Sequence, residues 1–146
     1  MEQQYTWDGL PVAPDPPFGA SIIVFRRAGG RIFFLVLHRA QLGPDFEGDW
    51  AWGPPAGARL PGENIDNCAR RELAEETGLD LPLRPSSAGT FEWAAYLAEA
   101  PMTAEVQLSA EHDRWGWLPL EDAVRRCLPS VVAEQLRHAA EDISDL

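Results

Sequence analysis

GARLPGENIDNCARRELAEETGL, residues 57–79, decides the reading of this chain. It joins a Gly-rich turn, one glutamate, a short helical pattern and three further glutamates. At 100° per residue, Glu72, Glu75 and Glu76 fall in one wedge of a helix about 100° wide. Carboxylates gathered in one wedge repel each other unless a cation lies between them. Asn64 is a good N-cap, Asp66 suits the first turn, and Gly78 fits the left-handed position beyond the last turn. Ile65, Cys68, Ala69 and Leu73 form the apolar stripe, yet Glu72 and Glu76 lie within it and Glu75 at its border. A solvated helix would turn its acids the other way. That conflict marks a site.

Outward from this stretch, the chain alternates strands and helices. Residues 20–25 (ASIIVF) and 32–37 (IFFLVL), joined by Arg27-Ala28-Gly29-Gly30, predict a hairpin whose strands are covered on both faces. His38 and Arg39 end its second strand. Trp50-Ala51-Trp52 is a short aromatic run broken by Pro54-Pro55. Residues 89–98, 105–108 and 114–118 read as further strands. Residues 120–128 form a helix, and Ser130 caps a last one through about Glu141, with Val132, Leu136, Ala139, Ala140 and Ile143 inward. This order argues for an α/β fold with a mixed sheet covered by helices on both faces. Residues 1–18, Pro-rich and without period, read as an extended arm parts of which dock through Trp7 and Phe18; residues 19–146 form one domain.

Composition excludes several function classes. A chain of 146 residues with net charge −11 repels nucleic-acid backbones, and no apolar run reaches the length of a membrane span. The N-terminus lacks the order of a signal peptide, so a cytoplasmic location is expected. All 12 basic residues are Arg, which excludes a Walker-type phosphate loop and any Schiff-base lysine. Cys68 and Cys127 are too few for a disulfide framework or zinc site and read as buried thiols.

Oxygen donors select Mg²⁺, Mn²⁺ or Ca²⁺ rather than zinc. Gly57 lets the backbone approach a metal closely. Glu63 reads as orienting Arg71, which in turn stands four residues before Glu75 and can hold it. Gly57, Glu63, Arg71-Glu72-Leu73, Glu75-Glu76 and Gly78-Leu79 match a spaced pattern at every fixed position: G, five residues, E, seven residues, then R-E-U-x-E-E-x-G-U with U apolar. The stretch resembles the Nudix box, and the chain is similar to Nudix hydrolases through Arg39, Trp52 to Pro55, and Glu111-His112 before Trp117.

That resemblance implies an α/β/α sandwich and Mg²⁺-dependent hydrolysis (Mn²⁺ substituting) of a nucleoside diphosphate linked to another group. By position, Glu72, Glu75, Glu76 and Glu111 resemble metal ligands, with the Gly57 carbonyl helping. One of Glu72, Glu75 and Glu111 would deprotonate the water. WGPPAG before LPGE resembles asymmetrical dinucleoside tetraphosphate hydrolases, whose pattern carries Lys where this chain has Ala56. The Glu111-His112 segment resembles nucleoside triphosphate pyrophosphohydrolases. Arg39 and Arg59 are candidates for phosphate contacts, and Trp50, Trp93, Trp115 and Phe46 for stacking on a nucleobase. The alternatives are an ADP-ribose or nucleotide-sugar pyrophosphatase and a nucleotide-sensing module that does not cleave. A homodimer using the arm is a further expectation.

Overall fold

A computed structural model describes residues 3–6 and 8–146. The docking expected of Trp7 therefore lies outside the described residues. In chain order the elements are β1 (Gly19–Ala28), β2 (Arg31–Arg39), β3 (Trp52–Gly53), β4 (Ala56–Ala58), α1 (Ile65–Thr77), β5 (Arg84–Pro85), β6 (Trp93–Glu99), β7 (His112–Pro119), α2 (Leu120–Arg126) and α3 (Ser130–Ser144).

The expected hairpin forms, with Ala28 paired to Arg31. Its turn residues Gly29 and Gly30 both have positive φ, at 57° and 78°, as a two-residue turn matching strand twist requires. The central runs of β1 and β2 are apolar because alternate residues enter two separate cores. Ile22, Val24, Leu35 and Leu37 meet Ala69 and Leu73 of α1. Ile23, Phe25, Phe34 and Val36 meet Ala123 of α2 and Leu136, Ala139 and Ile143 of α3. The result is a mixed sheet between α1 on one face and α2 and α3 on the other, an α/β/α sandwich.

Strand β1 changes partner along its length, and this opens the molecule. Its first residues, Gly19 to Ser21, pair antiparallel with β4, while Phe25 to Ala28 pair with β2. On its other side it runs parallel to β6, from Gly19 beside Trp93 to Phe25 beside Glu99. Between the two partners, the Ile22 N–H donates to the Pro55 carbonyl at 2.8 Å. Pro55 has no N–H of its own to continue a ladder. β2 and β4 therefore diverge, with β3 and the two prolines spanning the gap.

Some expectations differ from what forms. Residues 105–108 are not a strand: the Gln107 N–H donates to the Thr77 carbonyl at the end of α1, and Val106 and Leu108 pack on the core there. Strand β6 starts at Trp93, because Thr90 and Trp93 close a turn before it. Ser130 is the first residue of α3, with Pro129 at the cap position, so its hydroxyl does not cap the helix. The two-residue β5 carries too little pattern to be read in advance.

The N-terminal arm lies on the body of its own chain. The Ala13 N–H donates to the Arg59 carbonyl, the Arg59 N–H to the Phe18 carbonyl, and the Phe18 N–H to the Glu92 carbonyl. Val12 and Ala13 are buried.

Candidate active site

Helix α1 is fixed at both ends. Asn64 Oδ1 accepts from the Asp66 N–H at 2.8 Å, and Gly78, at φ 72°, donates its N–H to the Ala74 carbonyl. Between these caps the helix buries Glu72 and Glu76 beside Cys68, Ala69 and Leu73, while Glu75 faces solvent. Gly57 explains how Glu72 fits. A Cβ built at residue 57 would lie 2.0 Å from the Glu72 carboxyl carbon. A side chain there would displace the carboxylate, which fills the space it would need.

Arg71 organises the acids around it. Its Nε and Nη2 donate to the two oxygens of Glu63 at 2.7 and 2.9 Å, in a forked pair. Nη1 donates to Glu72 at 2.8 Å and to Glu75 at 3.3 Å, and Nη2 also donates to the Ala58 carbonyl. The hydrogen bond from Arg71 holds the Glu63 carboxyl below the usual carboxylate range. The same partner keeps the guanidinium charged. The structure thus pairs Glu63 with Arg71.

Glu76 is the electrostatic anomaly. It is 2% exposed, its Oε2 has no hydrogen-bond partner among the described residues, and the Ala56 N–H reaches its Oε1 at 3.4 Å. Burial, then the adjoining Glu72, then the charge of Glu111 push its pKa up to about 10. Burial likewise raises Glu72. Opposite stands His112, also buried, with Nε2 3.8 Å from Glu76 and Nδ1 unpartnered. Burial and then the charge of Arg39 lower its pKa to about 4, so the ring is neutral at pH 7. Glu76, Glu111 and His112 bring one donor atom each within 4.8 Å of one another.

These residues fit a divalent cation. Glu76 Oε2 and His112 Nδ1 are buried without partners among the described residues, the imidazole is in its ligating form, and a cation would replace the proton that burial forces on Glu76. Predominantly carboxylate donors suit Mg²⁺ or Mn²⁺. Cys68, pushed up to about 12 by burial, is a thiol and supplies no thiolate.

Two cavities flank this centre. A cleft of about 820 Å³ is lined by Gly57, Arg71, Glu72, Glu75, Glu76 and Glu111. A second cavity of about 550 Å³, in the gap between the diverging strands, is lined by Trp50, Trp52, Trp93, Val132, Gln135 and His138 among others. Arg39, Ala56, Glu76 and Trp93 line both, so the two form one trough. Trp93 is fixed by its Nε1–H donating to Ser21 Oγ at 2.9 Å, and Trp50 is half exposed with φ 68°.

The structure brings together Arg39, Trp50 and Trp93 with the glutamates, but not three other expected residues. Arg59 is 7% exposed and directs Nε to the Pro17 carbonyl, Nη1 to the Glu63 carbonyl and Nη2 to the Asp15 carbonyl. Its fork ties down backbone and does not face phosphate. Phe46 packs in the core under α3, with its carbonyl bound by His38 Nε2. Trp115 lies on β7 and lines neither cavity. Sequence reading missed His38 as an organiser. Fully buried, it binds Asp113 through Nδ1 at 2.7 Å and Phe46 through Nε2, tying the 40–51 loop to the start of β7. Only contact between distant segments reveals it.

Comparison with known proteins finds a family and several relatives. The NUDIX domain model matches residues 15–139. The chain is 32% identical over 118 residues to bis(5'-nucleosyl)-tetraphosphatase (asymmetrical) of Caenorhabditis elegans, covering 73% of this chain and 81% of the relative. The mouse (Mus musculus) enzyme of the same name is also 32% identical, over 70% of this chain and 78% of its own length. A crystal structure described as a C. elegans Ap4A hydrolase binary complex superposes with TM-score 0.72 and 26% identity, covering 88% of this chain and 98% of that one.

Proposed function

Because this chain belongs to the NUDIX domain family and is a pyrophosphohydrolase, we propose that it hydrolyses a phosphoanhydride bond of a nucleoside polyphosphate, with Mg²⁺ as cofactor and Mn²⁺ able to substitute. The observation that carries this reading is the burial of Glu72 and Glu76 on the inward side of α1, against Glu111 and His112, at the junction of an acidic cleft and an aromatic cavity.

Glu72, Glu76 and Glu111 would hold the cation, with the Gly57 carbonyl and the neutral His112 beside them. Such a cation neutralises phosphate charge, lowers the pKa of water and stabilises the leaving oxygen. Glu75 is read as the base. Its side chain is 58% exposed to cleft water and steadied by Arg71, whereas Glu72 and Glu76 are buried. Arg71 and Glu63 are positioning residues, because their forked pair fixes where Glu72 and Glu75 stand. Arg39, common to both cavities, is suited to the polyphosphate, since a guanidinium matches phosphate oxygens. The nucleobase enters the aromatic cavity and stacks on Trp50 or Trp93. The relatives' substrate, a dinucleoside tetraphosphate, is the first compound to try.

The test is a panel of dinucleoside tetraphosphates, nucleoside triphosphates, ADP-ribose and nucleotide sugars, run with Mg²⁺ in ¹⁸O-water. The expected result is cleavage of a dinucleoside tetraphosphate to a nucleoside triphosphate and a monophosphate, one carrying the label, abolished by EDTA. Preferential cleavage of ADP-ribose or a nucleotide sugar would overturn the substrate class. Persistence in EDTA would overturn the cofactor.

A further inference from the structure

The acidic cleft has one wall that the matched domain, which begins at residue 15, does not supply. Tyr5, Thr6, Asp8, Leu10 and Val12 of the arm line it, facing Arg39, Gln41 and Glu111. The arm is built there. The Val12 N–H donates to the Gln4 carbonyl at 2.8 Å, the Thr6 N–H to the Leu10 carbonyl at 2.7 Å, and the Leu10 N–H to Thr6 Oγ1. Tyr5 and Pro11 form a bridge. These bonds tie residues 4–6 to residues 10–12.

Arg59 joins the arm to the catalytic turn. It stands two residues after Gly57, and its buried guanidinium holds the carbonyls of Asp15 and Pro17 on one side and of Glu63 on the other. Its backbone also accepts from Ala13 and donates to Phe18. The loop bearing Gly57 and Glu63 and the arm are thus one piece.

The chemistry of the wall excludes phosphate as its ligand. Among its described residues it carries no cation, and Asp8 adds a negative charge. It presents instead Tyr5, 64% exposed, and Leu10, 44% exposed. An exposed ring beside a polyphosphate site meets whatever planar group lies beyond the phosphates. The arm residues line the acidic cleft and not the aromatic cavity.

Resting on the polyphosphate reading above, we propose that the arm is a substrate-discriminating wall. Tyr5 stacks on the second nucleoside of a two-ended substrate, and Arg59 is the positioning residue that holds Tyr5 at the cleft. One-ended nucleotides never reach it.

The test measures KM and kcat for a dinucleoside tetraphosphate and for the nucleoside tetraphosphate lacking the second nucleoside. Tyr5→Ala is expected to raise KM at least about fivefold for the two-ended substrate alone, the loss of one base stack, with kcat unchanged. Tyr5→Phe restores the wild-type value. Arg59→Gln shifts the same KM, its thermal midpoint being recorded to separate release of the arm from loss of the fold. Equal changes on both substrates, no change, or failure of Phe to rescue would overturn the proposal. Wild-type protein that cleaves neither substrate would overturn the polyphosphate reading, and this inference with it.

Discussion

Helices α1 and α3 cover opposite faces of one sheet, with 13 and 15 residues, yet they bury different chemistry. α3 turns inward Ala133, Leu136, Ala139 and Ile143, each removed from water with nothing left unpaired. Fully burying a Leu or Ile side chain stabilises by about 1.5–3 kcal/mol. α1 interrupts the same kind of stripe with Glu72 and Glu76, whose desolvation opposes folding. It is also the better capped of the two: Asn64 and Gly78 complete its ends, while α3 has no side-chain cap. One helix holds the sheet together; the other gives up some stability for a charged site and is anchored at its ends.

The largest effect that could break this contrast is on turnover. Glu76→Gln should lower kcat at least about a hundredfold, the scale of losing one preorganised electrostatic group. It should leave the thermal midpoint of the cation-free protein equal or higher, because a neutral amide replaces a buried unpartnered carboxyl. Product chromatography beside circular dichroism checks both. Retained turnover, or a midpoint that falls as for a core truncation, would put the two helices in one class.

On α3 the pattern should invert. Ile143→Ala, fully buried and far along the helix from the cavity residues, should destabilise by about 2–5 kcal/mol in denaturant titration. Turnover per folded molecule should stay near wild type. A matching loss of kcat would mean that α3 also shapes the chemistry.

The smallest effect sharpens the electrostatic side. The Glu76 pKa rises from 4.5 to about 10 on folding, so its stabilising protonated form is complete below 4.5 and is lost as pH rises towards 10. His112 acts in acid, losing stability as pH falls below 6.5, and Glu63 and Asp142 act lower still. From pH 7 to 9 Glu72, raised by the same burial, acts in the same direction, and towards pH 9 so do the buried thiols Cys68 and Cys127, so the comparison with Glu76→Gln isolates the share of Glu76. The cation-free midpoint should fall by roughly 5 °C over that range, less in Glu76→Gln and less with saturating Mg²⁺. A flat profile in cation-free wild-type protein would contradict the burial of Glu76 as an acid.

What the sequence disclosed follows the same division. The acids of α1 were legible because helical spacing set them inside an apolar stripe, a conflict visible in a few turns of chain. Strands β1 and β2 were legible because both their faces are covered. Arg59 was misread because an arginine beside a phosphate-binding turn looks the same whether its fork meets phosphate or three carbonyls. Phe46 and Trp115 were misread because aromatic character does not say which side of a loop or strand faces the trough. Residues 105–108 alternate like a strand, but their amides close the end of α1 instead. The His38–Asp113 bond joins segments that share no local pattern.

The change of partner along β1 has a consequence for how the chain acquires its shape. Gly19 pairs with Trp93, and Phe33 of the neighbouring strand with Pro119, so the central ladders wait on residues far along the chain. Pairings of such long range slow folding, towards milliseconds to seconds for domains dominated by them. The trough lies where these ladders diverge, and Arg39, Glu76, Trp93 and His112 meet there from separate elements. During synthesis the box helix emerges early, but it has no site to serve until β7 is in place. In this chain the ability to react depends on pairings that span most of its length.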